Sequence, residues 1–174
     1  MQFLIWILTA LGVVAADQFT KWLAVTYLKP LGSVGFIPHI MDLTYLENKG
    51  AAFGMFSDAR WVHMSVSTVA VIAIIIYMCR TKQRSRLLAV SAGMIIGGGI
   101  GNLIDRFFVG YVVDFFEPIF VNFAVFNVAD SFVCVGAALL FIYVLMYDRK
   151  NGSKSKTPTN NSVSGDNSNG DGNG

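Results

Sequence analysis

Two aspartates, Asp114 in Gly110-Tyr-Val-Val-Asp114-Phe-Phe and Asp130 in Phe126-Asn-Val-Ala-Asp130-Ser131, stand beside the ends of apolar stretches long enough to cross a membrane. A carboxylate at membrane depth costs about 2.5 to 3.5 kcal/mol on insertion scales, so its presence calls for a substrate, an ion or a proton to serve. Two carboxyls that converge cannot both ionise easily. Such a pair shares a proton: one member takes a proton from an attacking water, and the other polarises a carbonyl and then protonates the leaving amine. That is peptide-bond hydrolysis, and it needs no metal. Asn127 is placed to cap a helix, which sets Asp130 in its first turn; there the positive helix end favours the ionised form and makes Asp130 the expected base of a proton-sharing pair.

Other polar residues compete for attention. Asn102 shares a helix face with Asp105 and Arg106 at spacings of three and four, a stripe that must face the bundle or water. It serves either as an ion-pair network or as a site that holds a peptide. Ser131 has no histidine or lysine placed to activate it. His39 and His63 lack a second ligand at metal-site spacing and are read as interfacial residues. Cys79 and Cys134 fall toward opposite ends of their helices, so they are expected as unpaired, buried thiols.

The elements that must position these groups belong to a membrane protein: 54% of the 174 residues are hydrophobic and only 14% charged, with a mean hydropathy of +0.56, outside the range of soluble domains. Segments near the required length run from Phe3 to about Leu23, Val62 to Met78, Leu87 to about Ile104, and Val125 to Tyr147, which predicts four transmembrane helices. Val14-Ala15-Ala16 resembles a signal-peptide cleavage site, but no basic residue precedes Lys21, so a retained helix is expected. Arg80, Lys82, Arg84 and Arg86 follow the second helix without an acid between them, and Arg149, Lys150, Lys154 and Lys156 follow the fourth. Both ends are therefore assigned to the cytoplasm and both aspartates to the outer face.

Turn signals and short β-branched runs between about residues 26 and 60 predict a few strands on the outer membrane surface. Asn48-Lys-Gly50-Ala-Ala-Phe53-Gly54 follows them as a tight loop or an ordinary turn. Gly93, Gly97 and Gly101 form small-xxx-small pairs in the third helix, which suit close helix packing. No Gly-Lys-Ser/Thr follows that glycine run, so it does not bind nucleotide phosphates, and no nucleic-acid partner is expected. After Lys150 the chain turns to Asn, Gly, Ser and Thr, a composition of disorder. The domain reading is thus a membrane domain over 1–150 and a disordered cytoplasmic tail over 151–174.

Five blocks in order, Asp17-Gln-Phe-Thr-Lys21, Asn48-Lys-Gly-Ala-Ala-Phe53, Gly101-Asn-Leu-Ile-Asp-Arg106, Val113-Asp114-Phe115 and Phe126-Asn-Val-Ala-Asp130-Ser131, resemble the signature blocks of lipoprotein signal peptidase, the bacterial signal peptidase II. The resemblance implies an all-α membrane protein of four helices with a small β subdomain outside. Its activity would be that of an aspartic endopeptidase of the bacterial cytoplasmic membrane, cutting prolipoproteins just before a diacylglyceryl-modified cysteine. It implies Asp114 and Asp130 as the catalytic dyad, Asn48, Gly98, Asn102, Arg106, Asn127 and Ala129 as substrate-site residues, and Asp17 and Lys21, with Asp105, in support. It implies no metal or cofactor, membrane lipid as surroundings, and inhibition by the cyclic peptide globomycin. Two rivals are a proton-coupled transporter using Asp17, Asp105, Asp114 and Asp130 as a relay, and an assembly protein pairing helices through its glycines. The relay lacks acidic partners in the inner halves of the helices, and the assembly reading leaves both aspartate motifs unused.

Overall fold

The computed structural model describes residues 2–50, 60–83 and 85–152. The expected loop beyond Gly50 and the tail beyond Gly152 lie outside the described residues. Helix α1, Gln2–Leu23, continues into a π-helical turn, Ala24–Leu28, and stops at Gly32, whose φ of 76° needs a residue without Cβ. Strands β1, Ser33–Ile37, and β2, Met41–Asn48, follow; then α2, Arg60–Arg80, α3, Arg86–Phe108, β3, Val112–Pro118, and α4, Val128–Gly152. Ser85 caps α3 by accepting from Leu88 N, and Gly110, at φ 93°, turns the chain out of α3 toward β3.

Among the described residues three helices are long and apolar enough to cross a membrane: Gln2–Leu28, Arg86–Phe108 and Val128–Tyr147. The apolar part of α2, Met64–Arg80, is shorter. Helix α3 is the centre of the bundle, and glycines let its neighbours reach its backbone. A Cβ on Gly97 would fall 2.7 Å from Ala10 O and from Val13 Cβ of α1; one on Gly98 would fall 2.5 Å from Ala129 O of α4. Lipid is as apolar as a leucine side chain, so close dispersion contact of this kind, not escape from water, holds such helices together. Trp6, Ala10, Val71, Met78, Leu88, Ala89, Ala92 and Ile96 form the core on this axis.

The three strands make one antiparallel sheet in the order β1-β2-β3. The sequence places its strands between 26 and 60, yet the third strand comes from 112–118, the segment that carries Asp114. Its residues from Val112 to Phe115 are buried whichever face they point to, so the alternation that marks a half-exposed strand is missing. Ala24, Leu28, Val113 and Phe115 form a second core that seats the sheet against the π-helical turn at the C-terminal end of α1. Cys79 and Cys134 are free but exposed, not buried. Helices that are apolar all round do not reveal in sequence which side faces lipid.

Candidate active site

Asp114 reaches its position through sheet register. Leu46 lies opposite Asp114 and Asn48 opposite Val112, so Asn48 and Asp114 are diagonal neighbours on one face. Asn48 Nδ2 donates to Asp114 Oδ2 at 2.8 Å, while Asn48 Oδ1 accepts from Gly50 N at 2.8 Å and orients the amide. Two residues past Asp114, Phe116 bridges to Phe126 through paired backbone hydrogen bonds of 2.8 and 3.0 Å. The bridge delivers the start of α4 to the strand. Asn127 Oδ1 accepts from Asp130 N at 3.0 Å and Asp130 Oδ2 accepts from Asn127 N at 3.2 Å, a reciprocal cap of the expected kind. The Asn127 amide then donates to Asp114 Oδ1 at 2.7 Å.

One asparagine therefore touches both carboxyls. Asn102, on α3, adds a donor to Asp130 Oδ1 at 2.8 Å, so each of the four carboxyl oxygens accepts one N–H. Asp114 is almost fully buried and Asp130 half-buried. Burial, reinforced by the negative charge of Asp130, pushes the Asp114 carboxyl up to about 6, against the pull of the Asn48 and Asn127 donors. At neutral pH and slightly below, such a pair can hold one proton between two roles, the arrangement a water-activating acid and base require.

Behind the pair lies a second, charged cluster. Lys21 Nζ contacts Asp17 Oδ2 at 2.8 Å, Asp105 Oδ2 at 2.9 Å and Asn102 Oδ1 at 2.9 Å, using all three of its hydrogens. The other oxygen of Asp17 accepts from Ala129 N at 3.0 Å, so a residue of α1 caps α4. Asp105 Oδ2 also accepts from Val113 N at 3.2 Å and so steadies the residue before Asp114. Among the described residues no buried side-chain nitrogen or oxygen lacks a partner.

Arg106 does not pair with Asp105 as its position in sequence suggests. Lys21 takes that carboxylate, and the half-buried Arg106 donates to Asn102 O at 3.2 Å. Gly98 and Ala129 meet each other at the α3–α4 crossing, with Ala129 fully buried. His39 stands exposed in a turn at φ 63°, and His63 lies in the first turn of α2. Ser131 Oγ bonds to Asn127 O within its own helix. Gln18 is the polar residue overlooked in the sequence: its amide reaches Asp105 Oδ1 at 2.9 Å and Asp17 Oδ2 at 3.2 Å. Its place beside Asp17, inside the Asp-Gln-Phe-Thr-Lys block, was the available signal.

The family profile described as Signal peptidase (SPase) II matches residues 9–146, a span that holds every group just described. This chain belongs to the signal peptidase II family. The peptidase is 50% identical over 128 residues to a lipoprotein signal peptidase of Caldanaerobacter subterraneus, covering 74% of this chain and 87% of that one. It is 40% identical over 145 residues to the lipoprotein signal peptidase of Bacillus subtilis, covering 82% and 94%. A solved bacterial membrane enzyme superposes with a TM-score of 0.74 at 34% identity, covering 84% of this chain and 90% of that one. With three membrane-length helices and such a neighbour, the peptidase is a multi-pass membrane protein. Among the described residues its buried carboxylates gather at one end of the bundle and do not form a relay across it.

Proposed function

We propose that Asp114 and Asp130 are the catalytic dyad with which this peptidase removes the signal peptide from prolipoproteins, cutting just before the lipid-modified cysteine. The observation that carries the reading is that one residue, Asn127, holds both carboxyls, its side-chain amide donating to Asp114 Oδ1 and its backbone N–H to Asp130 Oδ2. Asp130, in the first turn of α4 and held by N–H donors on both oxygens, takes the proton of the attacking water. Asp114, whose burial favours its protonated form, polarises the scissile carbonyl and then supplies the leaving amine. The oxyanion that develops meets Arg106, whose guanidinium makes no ion-pair contact with a carboxylate among the described residues. Asn48, Asn102 and Asn127 orient the dyad, and the substrate backbone lies across them beside Gly98 and Ala129. Each dyad oxygen accepts an N–H, and the reaction proceeds without a metal.

We also assign α2 as a fourth membrane span. Its 21 residues reach about 32 Å at 1.5 Å per residue, close to the ~30 Å hydrocarbon layer, and Val66, Val69, Ile72 and Ile76 are exposed as lipid-facing residues would be. Four spans with the basic Arg80–Arg86 connection inside put both ends of the membrane domain, 1–150, in the cytoplasm and the dyad at the outer face of the cytoplasmic membrane. The tail from 151 to 174 has no catalytic part. Globomycin is expected to bind across the dyad.

The test is cleavage of a diacylglyceryl-modified prolipoprotein by purified protein in detergent, with and without a chelator, beside Asp114→Asn and Asp130→Asn. Cleavage that persists with the chelator and disappears in both variants is expected. Turnover by either variant near the wild-type rate would remove the dyad from the mechanism.

A further inference from the structure

The amide of Asn102 is not free to choose its orientation. Asn127 Oδ1 is committed to the backbone N–H of Asp130 at 3.0 Å, so Asn127 Nδ2 faces outward, toward Asp114 Oδ1 at 2.7 Å, Asn102 Oδ1 at 3.0 Å and Val113 O at 3.4 Å. Two hydrogens serve three acceptors there, and the hold on Asn102 is shared. The Lys21 ammonium has no such deficit: three hydrogens meet three acceptors, and Asn102 Oδ1 is one of them at 2.9 Å. Turning Asn102 over would set its NH2 against an ammonium and a second NH2, and its oxygen against Asp130.

We propose that Lys21 is a positioning residue for the reaction: it locks the Asn102 carboxamide with its NH2 toward Asp130 and polarises it, so that Asp130 is the member of the dyad held ionised. The proposal rests on the reading of Asp114 and Asp130 as the catalytic pair. Lys21 forms no ion pair with either of them among the described residues; its charge acts on Asp114 across space, drawing that carboxyl down, and reaches Asp130 through one buried amide, where hydrogen bonds in series strengthen one another. The scaffold alone does not require this third bond, since Asp17 and Asp105 already neutralise the ammonium. Asp130 is also faced by Arg106 of α3 and Asp114 of β3, with Asp17 of α1 and Asp105 of α3 behind Lys21, so any effect of Lys21 must be separated from theirs.

A double-mutant cycle makes the separation. The pH profiles of kcat and KM for a diacylglyceryl-modified prolipoprotein are measured for wild type, Lys21→Met, Asn102→Ala and the double variant, per folded molecule in detergent. Lys21→Met is expected to lower kcat about tenfold, a part of the ~10²–10⁴ a positioned base supplies, with KM little changed and the acid limb moved to higher pH. In the Asn102→Ala background it should move that limb no further. Where Lys21→Met does not fold because it strands two carboxylates, Lys21→Met with Asp105→Asn takes its place against Asp105→Asn alone. An unmoved limb, or equal shifts with and without Asn102, would overturn the proposal. Undiminished cleavage by Asp114→Asn and Asp130→Asn would instead remove the dyad on which it stands.

Discussion

The two halves of α3 are positioned by opposite means. From Gly93 to Gly99 the helix meets its neighbours through missing side chains, with Trp6 O, Ala10 O and Ala129 O close to where Cβ atoms would be. From Gly101 onward it meets them through hydrogen bonds: Asn102 and Asp105 reach α1, β3 and α4 by side chains alone. In the first half, shape sets the distances between backbones. In the second, donor and acceptor complementarity fixes the rotation and depth of each element, and the carboxyl pair lies where the second regime takes over. Small residues bring three helices near enough for polar side chains to meet; the polar network then chooses one arrangement among those that packing allows.

Substitutions can separate the two regimes. The largest effect falls on the dyad itself. Asp114→Asn and Asp130→Asn each should lower kcat by roughly 10²–10⁴-fold or more while thermal unfolding in detergent remains cooperative. Next comes Gly98→Leu, which drives a side chain into Ala129 O and Val133; overpacking of this kind costs about 1–3 kcal/mol or more. Its melting temperature should drop well below wild type, whereas kcat per folded molecule should change less than in the dyad variants. A Gly98→Leu chain with wild-type stability would show that α4 can move away at no cost, and the contrast between the halves would fail.

A pH profile sharpens the polar side of the comparison. Asp114 must be protonated to act as the acid, and its carboxyl sits at about 6, so kcat/KM should fall as pH rises through that value. The Asn48 donor holds this carboxyl down. Asn48→Ala therefore should move the falling limb to higher pH while lowering kcat, which profiles of the two proteins measured side by side will show. The smallest effect is expected at the solvent-facing Lys29–Glu47 pair, 2.9 Å apart. Glu47→Gln should leave the melting temperature in detergent close to that of wild type, because solvent screens a surface pair, and leave turnover alone.

Much of this was legible in the chain. Membrane-length apolar runs disclosed α1, α3 and α4, the glycine spacing announced close packing, and the two aspartates beside apolar stretches, with Asn127, marked the carboxyl pair. Residues whose partners lie far away in sequence were not legible. Asp17 reads as part of its own helix end, yet it caps α4 and pairs with Lys21. Asp105 and Arg106 read as a local pair, yet Asp105 faces α1 and β3. Strand β3 escaped because burial on both faces removes alternation. The lipid-facing side of each helix escaped as well, which is why Cys79 and Cys134 were expected inside and found outside.

The hydrogen bond from Asp17 to Ala129 joins residues 112 apart, one in the earliest helix to be made and the other in the latest. At roughly 5–20 residues per second, about 6 to 20 seconds of synthesis separate the two. During that interval the Asp17 acceptor has no α4 to cap, and Asp130 has not yet joined Asp114. The carboxyl pair stays incomplete while the first three helices are made and is assembled only when α4 docks. The order of synthesis alone thus sets when the two carboxyls come together.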